Sequence, residues 1–135
     1  MNCNHDVPVS AACIIRELEH RGWELTKAQT LNGDNWEDIL FTLVPELRTM
    51  CGFQQNNPYH VYDVWKHTAE ALKTAGDDTI VALTVLFHDI GKPQCYTEDE
   101  DGRGHFYGHG PVSAGITNLV MKRLKFDEQT IDTVV

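Results

Sequence analysis

Positive charge is in short supply: 11 Lys and Arg stand against 20 Asp and Glu, a formal net charge of −9. Phosphate backbones are bound through clustered Lys and Arg, so a broad nucleic-acid surface is excluded. An anionic substrate would need local positive charge, and bound divalent cations supply it, because a metal is often the largest charge in a site. No apolar run approaches the roughly 20 residues that cross a bilayer. Nor does the amino terminus carry a basic segment, an apolar stretch and a small-residue cleavage site. A cytoplasmic protein with no membrane partner is expected. Cysteine is sparse: Cys3, Cys13, Cys51 and Cys95 are scattered, which gives neither a zinc knuckle nor a disulfide framework. They are expected to be reduced, with Cys13 and Cys51 at the core or its boundary. There is no repeat and no low-complexity tract.

What is present fits one folded domain, since 135 residues build a single core and not two. The sequence is organised around Leu86-Phe87-His88-Asp89-Ile90-Gly91-Lys92-Pro93. An apolar run ends there on two metal-capable side chains. Glycine supplies freedom to turn sharply and the proline cannot extend a helix, so His88 and Asp89 are expected at a helix C-terminal end. For the dipeptide alone the default is structural: a histidine there can satisfy an orphan carbonyl and the helix dipole. The company changes the odds, with His67 upstream and His105 and His109 downstream in a glycine-rich stretch. His5 and His20 are read as surface residues.

Taken in order, Ser10 caps a helix from Ala11 to about Arg21 whose apolar positions are Ala11, Ile14, Ile15 and Leu18, ended by Gly22. Asp34 and Glu37 form a capping box for a helix with Trp36, Ile39, Leu40 and Leu43 on its face, halted near Pro45. Glu46 to Met50 adds one more turn. Tyr59 to Ala75 is the next helix. In it His60, Asp63 and His67 fall on one face at i, i+3 and i+7. Asp63 could hydrogen-bond the His67 ring nitrogen that faces away from a metal, and His60 is read as orienting locally. Asp77 and Asp78 start a helix that is apolar nearly all round through Phe87, as in a central buried helix. Gln94 to Gly108 reads as one long polar loop of the kind that serves as a lid or binding loop. Pro111 opens a helix to about Lys125 with Val112, Ile116, Leu119, Val120 and Leu124 buried, and Asp127 caps a last helix. The fold class is all-α with one long loop.

Imidazole and carboxylate together suit divalent metals with open positions, such as Mn, Fe, Co, Ni or Zn, rather than a sulfur-based structural site. If His67, His88 and Asp89 converge they hold one metal. With His105 or His109 added, a second metal could sit nearby, bridged by Asp89, and the pair would stabilise charge on a phosphoryl group.

His67, His88-Asp89 in a His-Asp-Ile-Gly-Lys context and Gly108-His109 ahead of a helix together resemble the HD-domain superfamily of metal-dependent phosphohydrolases. More narrowly, Pro58-Tyr59-His60-Val61-Tyr62-Asp63-Val64-Trp65-Lys66-His67-Thr68 and Asp101-Gly102-Arg103-Gly104-His105-Phe106-Tyr107-Gly108-His109 look like the HD region of bacterial tRNA nucleotidyltransferases and poly(A) polymerase-like proteins. The resemblance implies an HD-domain helical bundle over 56–135, with 1–55 a helical segment packed on it. It implies one or two divalent metals, Mg included, on His67, His88 and Asp89, with His109 at a second metal or the substrate. Asp89 and Lys92 would be catalytic, and Lys92 would meet a phosphate oxygen. Arg103 and His105 would be substrate contacts; Asp63 and His60 would stand behind the ligands.

The implied activity is hydrolysis of a phosphomonoester or phosphodiester of a nucleotide or RNA end. The glycine-serine and paired-aspartate head of the nucleotidyltransferases does not occur in this sequence, so that activity is not carried over. The family closes its site with a late aspartate, and only Asp127 and Asp132 follow His109. Either Asp132 substitutes, or the site is one ligand short and filled by water, or the chain is a fragment. The alternative function is a weak or inactive HD module that binds RNA or, given the acidic surface, protein. A helical domain whose histidines only cap and pack is the third reading. Oligomeric state is not read from the sequence.

Overall fold

The computed structural model describes residues 7–25, 31–32, 35–56 and 62–135. Six α-helices are described: α1 (Val9–His20), α2 (Trp36–Leu43), α3 (Val64–Lys73), α4 (Thr79–Phe87), α5 (His109–Arg123) and α6 (Glu128–Val134). Short 3-10 turns cover Pro45–Met50 and Lys92–Cys95. The organising element is α4, which packs on α1, α3, α5 and α6. Asp78 starts it, its carboxylate accepting from the Ile80 and Val81 amides, two of the donors a helix start leaves orphaned. Ala82, Leu83, Leu86 and Phe87 are buried, and with Ile14, Leu18, Ile39, Leu40, Leu47 and Leu72 they belong to one continuous core. Among the described residues the chain is all-α apart from one two-stranded antiparallel ribbon.

Several details depart from the sequence reading. The helix start at Ser10 falls instead at Pro8; Ser10 lies inside the first turn, buried, and donates its hydroxyl to the Leu72 carbonyl. The capping box at Asp34 and the first residues of the Tyr59 helix, His60 among them, lie outside the described residues. Described α3 begins at Val64, because Asp63 is its N-cap. Helix α4 is not buried all round: Val81 is 44% exposed. Cys51 is exposed rather than at the core boundary.

Helix α5 and its C-cap bury Val120 and Leu124 as expected, but Leu119 is turned outward. Leu119 is 68% exposed, whereas Ser113, Thr117, Val120 and Met121 are buried. Small hydroxyl side chains let α5 approach the turn after α4, and Ser113 Oγ accepts from the Gly91 amide at 2.8 Å.

The long polar segment is a hairpin, with β1 (Thr97–Glu98) antiparallel to β2 (Gly104–His105). It docks on the 53–56 loop. The Phe53 and Tyr96 rings meet edge to face at 5.3 Å, and the Gly104 amide donates to Asn56 O at 2.8 Å.

Candidate metal centre

Helix α4 stops at Phe87 and hands over to His88 as its C-cap. The His88 Nδ1–H donates to Val85 O at 2.6 Å, one of the carbonyls a helix end leaves unpaired. That bond fixes the proton on Nδ1 and turns Nε2 toward Asp89, 3.0 Å from Oδ2. His109, the first residue of α5, repeats the device: its Nδ1 meets Phe106 O at 3.0 Å, and its Nε2 lies 3.5 Å from Asp89 Oδ1. His67, on α3, brings Nε2 to 3.9 Å from Asp89 Oδ2. Pinning the far nitrogen to a backbone carbonyl is how a metal-binding histidine is usually held.

Asp89 is the common point, only 3% exposed. Burial pushes its carboxyl up, but the His88 hydrogen bond and the positive charges of His88 and Lys92 outweigh this and hold it at about 2. The same bond from Asp89 raises His88, against burial. Without a metal the two form a hydrogen-bonded imidazole–carboxylate pair. Atoms of His67, His88 and Asp89 that can bind a metal all lie within 4.8 Å of one another. Two imidazole nitrogens and an ionised carboxylate are a donor set that fits a divalent cation. The structure thus brings together His67, His88, Asp89 and His109.

Lys92, expected at a phosphate oxygen, is instead buried with its ammonium taken up from within. Nζ is 3.4 Å from Asp89 Oδ2, donates to Gln55 Oε1 at 2.8 Å and lies 5.1 Å from the Phe106 ring centroid. Gln55 in turn donates Nε2 to Tyr62 O at 3.1 Å. Sequence reasoning missed Gln55 and Phe106. Gln55 sits in a run of similar polar residues, and only burial separates it from the exposed Gln54 and Asn56.

The other candidates sit apart from the cluster. Asp63, expected behind the His67 ring, caps α3: its oxygens accept from the Lys66 amide at 2.7 Å and the Gly52 amide at 3.1 Å. His105 is held by Asp99, Nε2 to Oδ2 3.1 Å, and Arg103 is exposed on the same hairpin. Of the late aspartates, Asp127 caps α6 and Asp132 is exposed.

The family model described as HD domain matches residues 59–135. An A-adding tRNA nucleotidyltransferase of Deinococcus radiodurans is 37% identical over 93 residues, 64% of this chain and 21% of that protein. A CC-adding tRNA nucleotidyltransferase of Thermus thermophilus is 33% identical over 102 residues, 71% of this chain and 23% of that protein. The chain therefore spans less than a quarter of the length of these relatives. No solved structure matches it.

Proposed function

From the chain's membership of the HD domain family, established by a match over 59–135, we propose a divalent-metal-dependent phosphohydrolase acting on a phosphomonoester or phosphodiester of a nucleotide or RNA end. The observation that carries this is the buried, ionised Asp89, with three imidazole Nε2 atoms within 3.9 Å of its two oxygens. His67, His88 and Asp89 would hold a metal such as Mn, Fe, Co, Ni, Zn or Mg, with His109 serving a second metal or the substrate. When bound, such a metal supplies Lewis acidity toward a phosphoryl oxygen and lowers the pKa of water. The chain's own part is positional. Val85 O and Phe106 O orient two imidazoles, and Lys92 keeps Asp89 ionised from beneath. His67, His88 and His109 leave the opposite side open, each with nearly two fifths of its side chain exposed.

An RNA or nucleotide substrate is supported by the names of the two relatives, both tRNA nucleotidyltransferases. No helix among the described residues is long and apolar enough to cross a membrane. One observation favours a second reading, an HD module that binds RNA or protein without turnover. Asp132, the residue that would substitute for the family's late aspartate, is exposed on α6 and is not among the donors of the His67, His88 and Asp89 group.

The test is metal content per chain, with hydrolysis of p-nitrophenyl phosphate and its bis ester under each metal, on the native chain and the His88→Ala, Asp89→Ala double variant. Stoichiometric metal and turnover, both lost in the variant, are expected. Metal without turnover favours the binding module. Turnover unchanged in the variant sinks the proposal.

A further inference from the structure

We propose that Tyr107 is a stacking platform for the nucleobase of the phosphate ester bound at the neighbouring metal cluster; this rests on the phosphohydrolase reading above. Tyr107 is 73% exposed, the most exposed large hydrophobic side chain among the described residues. A single exposed aromatic needs no explanation. A braced one does. The Tyr107 ring stacks on His105 with centroids 5.1 Å apart and planes 14° from parallel. His105 is fixed in turn by Asp99 at 3.1 Å. Asp99 is locked into the hairpin turn by the amides of Asp101 and Arg103, which donate to its other oxygen. The chain Asp99, His105, Tyr107 thus immobilises a ring that contributes nothing to the core. Ordering an exposed side chain costs entropy, and a platform fixed in advance loses less freedom when a ligand arrives.

The position is equally specific. His105 ends β2, and Phe106 and Tyr107 follow it toward α5 with their rings on different partners. Phe106 covers the Lys92 ammonium, and its carbonyl holds His109. Immediately after Tyr107, Gly108 takes a left-handed conformation, φ 76°, that turns the chain into α5. Tyr107 is therefore tethered on both sides to residues of the cluster, with one ring face on His105 and most of its surface in solvent. A flat ring on a phosphate-bearing ligand fits that free surface. Stacking on an aromatic face tolerates any base, which suits a chain whose acidic balance leaves little room for a phosphate-reading basic surface.

The experiment compares adenosine 5′-monophosphate with ribose 5-phosphate by calorimetry on the manganese-loaded chain. The two ligands share sugar and phosphate, and only one carries a base. The native chain is expected to prefer the nucleotide by about tenfold to a hundredfold. Tyr107→Ala should erase that preference with ribose 5-phosphate binding unchanged, and Tyr107→Trp should keep it. His105→Ala should weaken the nucleotide alone by a few fold, an effect on discrimination that a merely structural residue would not produce. Equal binding of both ligands by the native chain, or a preference that survives Tyr107→Ala, overturns the platform and leaves the phosphohydrolase reading intact. Binding of neither ligand overturns both.

Discussion

Replacing Gly91 by alanine separates two reasons for a glycine after the His-Asp pair. At φ −85° the backbone there is one that any residue adopts. Were nothing packed against that position, alanine would stabilise the fold by about 0.4–1 kcal/mol through the unfolded chain. The structure gives a steric reason instead. A Cβ on Gly91 would stand 2.6 Å from Ser113 N, 2.8 Å from Ser113 Oγ and 3.0 Å from Val112 C. Two of these are backbone atoms of α5, so the helix itself must move. Overpacking of this kind costs about 1–3 kcal/mol, and losing the buried Gly91 N–H to Ser113 Oγ bond costs about 0.5–1.5 kcal/mol more. Less the unfolded-state gain, Gly91→Ala should destabilise by about 1–4 kcal/mol. Urea unfolding with an unchanged m-value measures it. Because α5 carries His109, metal affinity should fall as well. Gly115→Ala, with nothing within 4 Å of its added Cβ, is the control and should stabilise by up to about 1 kcal/mol from helix propensity. A Gly91→Ala protein as stable as the native chain would refute the close-approach argument.

Two further predictions concern the charges beneath the site. Gln55→Leu leaves the buried Lys92 ammonium one acceptor short and should cost about 1–3 kcal/mol. Lys92→Met should cost up to about 3 kcal/mol, the low end for a broken buried pair because His88 still faces Asp89; urea midpoints at or above the native value in both would contradict the arrangement. Because Asp89 raises His88 above 6.5, a metal must displace a proton from it, so affinity should fall as pH drops through that raised value, with proton release in calorimetry. A pH-independent affinity would count against His88 as a ligand. In the metal-free chain the Asp89 contribution is present above 3.8 and lost as pH falls toward about 2. The His88 contribution is full below 6.5 and lost as pH rises through its folded value. Stability from the pair is therefore greatest between these limits.

What the sequence disclosed about the fold is what is encoded locally. The caps at Asp78 and Asp127 were legible because a carboxylate two or three residues ahead of the amides it accepts from is a short-range pattern. Ser10 misled for the same reason. It carries a capping side chain, but Pro8 starts the helix two residues earlier and leaves that hydroxyl for Leu72, 62 residues away. Val120 of α5 and Leu124 at its C-cap were read correctly, but Leu119 was misjudged because apolar periodicity assumes a neighbour made of side chains. The neighbour is a backbone turn, and it selects the small residues Ser113 and Thr117 over Leu119. The hairpin escaped because its strands are two residues long, too short for alternation to register, and its docking depends on Phe53 and Asn56 some 40 residues upstream.

At the site the donor types were legible and their orientation was only half so. From the sequence, a His88 that satisfies a helix-end carbonyl and a His88 that binds a metal looked like rival readings. The geometry makes them one: with Nδ1–H given to Val85 O, Nε2 is the nitrogen left for a ligand. His109 obeys the same i to i−3 rule with Phe106 O. A histidine whose Nδ1–H reaches the carbonyl three residues back is thus presented Nε2-first, so capping raised the odds of ligation here. Lys92 shows the opposite case. Its charge and spacing relative to Asp89 are local, but whether that charge points at substrate or at Asp89 is decided by Gln55, 37 residues away. No local pattern distinguishes that glutamine from the exposed one beside it. The donor set of such a centre is written in short motifs, whereas the assignment of its cation to carboxylate or to substrate is written in tertiary packing.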